Sequence, residues 1–477
     1  MDATDLAFAG IARQAELLRA GEISSSELVD IYLQRIERIN PRLNAFTDVF
    51  AEESRTAAEA ADRMLTGANA DDLAETAPLL GVPVALKDEI DVEGLVAQHG
   101  TSAYSEPARA DAEHWRRLKD AGAILLAKTT LPELAICGFT ETESWGETRN
   151  PWNPAHTTGG SSGGSGAAVA AGLIGAASAS DGAGSIRIPA ACNGLYGLKP
   201  QRGRISLAPA REHWLGMSVA GCLARRARDT ALWMDVAAGA APGDPDPPPA
   251  PDQSYSAAVE SDPGRLRVCW SLSSPRAIAP PLHDAAVDAA VERVAGVLGD
   301  LGHGVSERDP EWGMVGNDCA NLYLKGIETD YDQVPYPERL EARTRGFKRL
   351  ARLIPASVLR RSRAAEAKHA ERINRIFEHC DVLLTPTSAT PPVKIGHWAG
   401  RGALRTLIGM SRVYPHTIAW NYLGLPAASI PAGSSPDGLP LATQLVVPAG
   451  REDLLLSLGA QLEGELGWPD RRPALAV

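Results

Sequence analysis

The chain has few aromatic residues, 5% of 477, and less positive than negative charge, with 47 Lys and Arg against 59 Asp and Glu. The formal net charge of -12 leaves no excess of cations to displace counterions from nucleic acid or an anionic membrane, so neither is expected as a partner. Only 339–375 runs against this balance, with Arg or Lys at roughly every third position. Such spacing reads as solvated helix faces rather than an RNA site. The six cysteines include no Cys-x-x-Cys pair, and no histidines stand at zinc-ligand spacing, so neither a disulfide framework nor a metal is expected. No long apolar run exists either. The least polar stretch, 166–177, is too short to span a bilayer, and the start Met1-Asp2-Ala3-Thr4-Asp5 lacks the basic and apolar segments of a secretion signal. A cytoplasmic location is the expectation.

What the chain does have is the composition of a globular protein, 44% hydrophobic and 22% charged, with 45 Gly and 35 Pro to make turns. Leu28, Ile31, Tyr32, Ile36 and Ile39 fall on one helical face, and Ser24 with Glu27 has capping-box spacing before the break at Asn40-Pro41. Together they predict an N-terminal helix over 24–40. Val82 to Leu86 predicts a buried strand that carries Lys87 at its end, and 112–121 followed by 123–127 predicts helix then strand. Strands at 266–270 and 381–385 and helices at 284–298 and 364–379 repeat the alternation, the pattern of an α/β protein. The Pro-rich 241–252 suits an extended surface linker, which leaves one domain or two open on this pattern alone.

The segment Thr157-Thr158-Gly159-Gly160-Ser161-Ser162-Gly163-Gly164-Ser165-Gly166 admits several readings. A phosphate loop of the Walker type needs a Lys that is not there. A flexible linker fits poorly with the compact Ala-rich run that follows. Gly-x-Ser-x-Gly is satisfied twice, but a nucleophile elbow needs a preceding strand, and 149–154 is turn-forming. A second segment, Ser180-Asp181-Gly182-Ala183-Gly184-Ser185-Ile186-Arg187-Ile188-Pro189-Ala190, sets a serine behind three small residues. The amides of Gly182, Ala183, Gly184 and Ser185 can converge on one oxygen and stabilise a tetrahedral oxyanion, because nothing bulky blocks the approach.

With these motifs the sequence resembles the amidase signature family. Gly159 to Gly166 matches its Gly/Ser-rich motif and Asp181 to Pro189 its Asp-x-Gly-Gly-Ser-Ile-Arg-x-Pro motif. Lys87, Ser161 and Ser185 stand at the family's spacing. Further similarity at 146–152, 194–200 and 421–426 extends it over nearly the whole chain. The resemblance implies a single α/β/α domain, 1–477, around a large mixed, twisted sheet covered by helices on both faces, with the catalytic core in 81–205. It implies Ser185 as nucleophile, Ser161 as proton relay after a cis peptide at Gly160, and Lys87 as base. Burial is the expected way to keep that amine neutral, since it disfavours the ammonium form. Ser162, Asp181 and Arg187 are expected to support the loop, and no cofactor is expected. Cys192, without a matched His, reads as a small buried residue. The family pattern has glycine where this chain has Ala183. Positive φ there would strain the alanine, whereas negative φ would leave its methyl narrowing the pocket.

The resemblance supports many substrates. It places Ala135-Ile136-Cys137-Gly138 at the border of the pocket, and Trp214, Trp312, Tyr323, Tyr414 and Trp420 are candidates for its wall. A self-contained amidase for small aryl, alkyl or cyclic amides is expected, as monomer or homodimer, with carbamates (urethanes) and esters in reach of the same attack. The alternatives are the A-type subunit of a glutamine-dependent tRNA amidotransferase, from whose usual form Phe139 to Glu143 departs, and a degenerate, non-catalytic interaction protein.

Overall fold

Short apolar runs make the strands, and the strands carry the chemistry at their ends. In the computed structural model, which describes residues 1–67, 69–276 and 279–477, strands β1 to β11 are, in chain order, Phe46–Val49, Pro83–Lys87, Ile124–Thr129, Ala176–Asp181, Gly197–Lys199, Val219–Ala224, Arg267–Trp270, Gly304–Glu307, Val382–Pro386, Ala427–Ser434 and Pro440–Val446. Besides the small two-stranded pairing of Glu141–Thr142 with Gly146–Glu147 there are two large sheets, of order β1-β3-β2-β4-β6 and β8-β7-β9-β11-β10-β5. Both are mixed. In the first, β2 runs parallel to β3 and β4, while β1 and β6 are antiparallel to their neighbours. In the second, β7 is parallel to β8 and β9, and the remaining pairs are antiparallel.

The expected large mixed sheet is thus in two sections, which meet where Tyr196 and Ala224 exchange backbone hydrogen bonds at 3.1 and 3.4 Å. Pairing across this seam is one bridge, at Tyr196 between the left-handed Gly194 that ends the helix Arg187–Asn193 and the three-residue β5. Helices cover both sides. Strands β2, β6, β9 and β11 are buried at every residue, as sheets covered on both faces require.

The N-terminal helix forms as Ser25–Ile39, with the Glu27 amide donating to Ser24 Oγ at 3.0 Å. The stretch 364–379 is a helix from Glu366 to Asn374 and then a tight 3₁₀ turn. The basic run 339–375 falls mainly on the helices Ala342–Ala351, Ala356–Ala364 and Glu366–Asn374. There Lys348 pairs with Asp332, and Arg372 donates to the carbonyls of Glu311 and Trp312 at 2.8 Å. Residues 241–252 form an exposed loop laid over 203–206, where Arg204 donates to the Pro249 carbonyl at 2.5 Å. Among the described residues no helix is long and apolar enough to cross a membrane.

Candidate active site

Lys87 is the last residue of β2, and β4 runs parallel beside it with Ala85 opposite Ala177. The parallel register brings the ends of both strands to the same edge of the sheet, where α/β proteins assemble sites. The Lys87 amide donates to Ser178 Oγ at 2.8 Å, which fixes the backbone. Its side chain is fully buried, and Nζ donates to Ser161 Oγ and to Ser180 Oγ, both at 2.8 Å. Lys87 is thus not exposed, and its neighbour Asp88 is not its partner. Asp88 faces Lys128 instead, at 3.6 Å. Burial pushes the Lys87 amine below the ordinary 10.5, against the opposing pull of Glu89 and Asp181.

The Gly/Ser segment is neither a linker nor an elbow. Residues 157–162 are irregular and buried, no strand precedes Ser161, and the helix Gly163–Ala170 follows at once. Its glycines are needed for close approach. A methyl on Gly160 would stand 2.5 Å from the Cys137 carbonyl oxygen, and one on Gly164 would stand 2.4 Å from the Thr130 nitrogen. The Gly160–Ser161 peptide is cis, as the resemblance implies. Ser162 donates its amide to the Ser185 carbonyl at 3.4 Å and its hydroxyl to the Ser180 carbonyl at 3.4 Å. It thereby ties the two serine segments together.

Asp181 ends β4 and organises the loop after it. Its carboxylate accepts from the amides of Gly184 at 2.6 Å and Ile186 at 3.1 Å, and from Arg187 Nε and Nη2 at 2.9 Å each. Arg187, fully buried, also donates to the Thr417 carbonyl, Gln444 Oε1 and Asn421 Oδ1 at 2.9, 2.7 and 2.6 Å. One correction to the expected oxyanion donors follows. The Gly184 amide is taken by Asp181 and is not available, which leaves Gly182, Ala183 and Ser185. Gly182 has no room for a side chain, because a methyl would meet the Trp214 ring at 2.8 Å. Ala183 is not among the residues with positive φ, so it sits without strain, and Thr417 Oγ1 holds its carbonyl at 2.6 Å.

A cavity of about 100 Å³ opens beside Ser185 and Ala183. Ala135, Ile136, Cys137 and Gly138 line it, as do Trp214, Tyr323 and Tyr414. Trp312 and Trp420 do not line it; they pack against each other, with ring centroids 5.3 Å apart, in the apolar cluster around it. Ile188, Leu407, Met410 and Ile418 complete an apolar wall. The Tyr323 hydroxyl donates to the Ile136 carbonyl, which holds the 135–138 segment in place. Cys192 is buried, and burial pushes its thiol up to about 12, away from the thiolate form that a nucleophilic cysteine needs.

The sequence reasoning missed Glu89, Thr417 and Gln444. Glu89 Oε1 lies 3.2 Å from Lys87 Nζ, and its signal was an acidic residue two positions beyond the lysine. Thr417 and Gln444 carry no local signal, since only the tertiary fold brings them to residues some 230 to 260 positions earlier.

A family model described as Amidase matches residues 27–456. AmiB2 of Mycobacterium tuberculosis, itself an amidase by name, is 43% identical over 480 residues, with 100% of both chains covered. The 6-aminohexanoate-cyclic-dimer hydrolase of Paenarthrobacter ureafaciens is 35% identical over 501 residues, covering 97% of this chain and 96% of the relative. A solved structure of a 6-aminohexanoate cyclic dimer hydrolase complexed with substrate superposes with a TM-score of 0.86 at 33% identity, over 99% of this chain and 100% of that one. A Ser-Ser-Lys triad is characteristic of these enzymes, and a buried lysine bonded to a serine of a Gly/Ser-rich loop, with a second serine on the neighbouring loop, is what this fold holds. The chain belongs to the amidase signature family and is an enzyme that hydrolyses amide carbon-nitrogen bonds.

Proposed function

We propose that this amidase cleaves small amides with an apolar aryl, alkyl or cyclic part through an acyl intermediate on Ser185. The observation that carries the reading is the 2.8 Å hydrogen bond from the buried Lys87 Nζ to Ser161 Oγ. Ser185 Oγ attacks the carbonyl carbon while its proton passes to Ser161, whose own proton passes to the Lys87 amine. The carbonyl oxygen becomes an anion facing the amides of Gly182, Ala183 and Ser185. Collapse of this adduct breaks the carbon-nitrogen bond, and the leaving nitrogen takes the proton back through Ser161. Water then attacks the acyl ester by the same route, releasing the acid and restoring Ser185.

The apolar wall beside Ser185 supports a substrate without charge near its carbonyl. The name of the 6-aminohexanoate-cyclic-dimer hydrolase supports alkyl and cyclic amides. Carbamates and esters present the same electrophilic carbon. A panel of anilides, alkyl amides, cyclic amides, carbamates and esters, assayed on the purified chain alone, tests this range.

Ser185→Ala is expected to abolish turnover and to prevent labelling by a fluorophosphonate, read by mass spectrometry. Unimpaired turnover in that variant refutes the assignment. The base must be neutral to accept a proton, so kcat/KM is expected to rise with pH. Because burial lowers the lysine, the midpoint is expected below 10.5. A profile that does not change with pH would remove Lys87 from its role. A chain that is inactive alone and purifies in a stoichiometric complex would favour the partner-dependent subunit instead.

A further inference from the structure

Glu89 stands outside the serine and lysine motifs, and a tight turn brings it to them. The amides of Glu89 and Ile90 both donate to the Lys87 carbonyl, at 2.8 and 3.0 Å, so the chain folds back as soon as β2 ends. This sets Glu89 Oε1 3.2 Å from Lys87 Nζ, with the lysine side chain fully buried and that of Glu89 13% exposed. Three oxygens then surround one nitrogen: Ser161 Oγ, Ser180 Oγ and Glu89 Oε1. An ammonium has three N-H donors and a neutral amine only two, so the surroundings match the protonated form. Burial favours the neutral form. The site holds both in reach, as a base that must take up and return a proton requires.

We propose that Glu89 is a positioning residue that fixes Lys87 and stabilises the ammonium formed when Lys87 accepts the proton of Ser161. The inference rests on Lys87 being the base. One proton moves from Ser161 Oγ to Nζ and later returns, and Glu89 stays ionised throughout. Burial acts to push the Glu89 carboxyl up, but Lys87, Ser180, His213 and His99 together outweigh it and hold it below 4.5. Lys87 also faces Asp181 on β4. On its other side Glu89 borders a second cavity of about 340 Å³ with His99, Tyr104, His213 and Asp330. His213 is paired with Asp330 at 2.9 Å, and burial keeps His99 below the ordinary 6.5. Glu89 is thus the acidic side chain in contact with the lysine nitrogen, at 3.2 Å.

Removing the charge has two consequences of defined sign. The ammonium loses an anion, so the lysine loses its proton at lower pH and the acid limb of kcat/KM moves down. The step that creates the ammonium also becomes harder, so kcat falls. For Glu89→Gln in the full-length chain, assayed on a chromogenic anilide, the expectation is kcat down about 10- to 100-fold and KM within about threefold, with the acid limb lower by about one pH unit or more. Glu89→Asp keeps the charge at a shorter reach. It is expected to recover part of kcat and to shift the limb less, and it carries the test alone if Glu89→Gln does not fold. Lys87→Met separates the two ideas. If it retains turnover, the base assignment fails and this inference with it. If it is inactive while the Glu89 variants match the parent in kcat and pH profile, Glu89 alone is refuted. A raised KM with unchanged kcat and profile would make Glu89 a substrate contact and overturn the inference as well.

Discussion

Ala183 occupies a position where one methyl group decides between strain and fit. His99, Leu134, Ala135 and Trp214 all border the site or its neighbouring cavity with positive φ, a conformation that costs a non-glycine residue on the order of 1 kcal/mol. Ala183 is not one of them. Its methyl lines the cavity beside Ser185, and its amide remains available to an oxyanion. Ala183→Gly is therefore expected to keep kcat/KM within about tenfold, or roughly 1.4 kcal/mol of barrier. Ala183→Leu, which fills the cavity, is expected to lose far more on bulky anilides while fluorophosphonate labelling of Ser185 persists. Complete loss of activity in the glycine variant would mean that the loop does not place its amides as described.

At the scale of one element, the helix Gly163–Ala170 shows why its sequence is so poor in side chains. Gly163 and Gly164 lie against Thr140 and Thr130, and Gly166 against Asn193, so the helix can approach its neighbours only as bare backbone. Gly164→Ala would drive a methyl to 2.4 Å from the Thr130 nitrogen and 2.6 Å from the Ala45 carbonyl oxygen. Backbone atoms cannot step aside cheaply, so a loss of about 1–3 kcal/mol is expected by urea unfolding. Activity should drop with it, because only Ser162 separates Ser161 from this helix. Equal stability in that variant would mean that the helix is free to move outward.

The same helix marks how far the sequence could be read. The buried strand that ends at Lys87 was legible because its apolar run is local, whereas the grouping of Lys87 with Ser161 and Ser185 rested on the family's motif spacing and not on any one local pattern. The helix over 24–40 was legible because its cap and apolar face are local too. The seam between the sheets was not, since nothing near Tyr196 or Ala224 announces that pairing narrows there. Nor was the loss of the Gly184 amide to Asp181: the motif marks both residues, but which amide faces the carboxylate is set by the turn geometry.

Over the whole molecule, Arg187 ties the two sheets together. Asp181 belongs to β4, Gln444 to β11, and Asn421 to the helix Ile418–Tyr422, and all three bind one buried guanidinium. Burial would push the Asp181 carboxyl up, but Arg187, Lys199 and Asn421 together outweigh it and hold it at about 2, against an ordinary 3.8. A carboxylate depressed by folding contributes stability in full above its unfolded value and loses it as pH falls toward its folded one. For Asp181 the window is pH 3.8 down to about 2, and the contribution is about 2 kcal/mol. Asp88, Asp229 and Glu341 work in the opposite direction, because burial raises each to about 7, so they cost stability as pH rises toward that value. The acid response of the parent is thus a sum, and Asp181 is isolated by difference. Asp181→Asn is expected to be less stable at pH 7 by roughly 3–5 kcal/mol, since it leaves the Arg187 charge buried and unpaired. Its deficit is expected to shrink by about 2 kcal/mol between pH 4 and pH 2 in urea unfolding. A deficit that stays constant over that interval would mean that the carboxylate is not held ionised by Arg187.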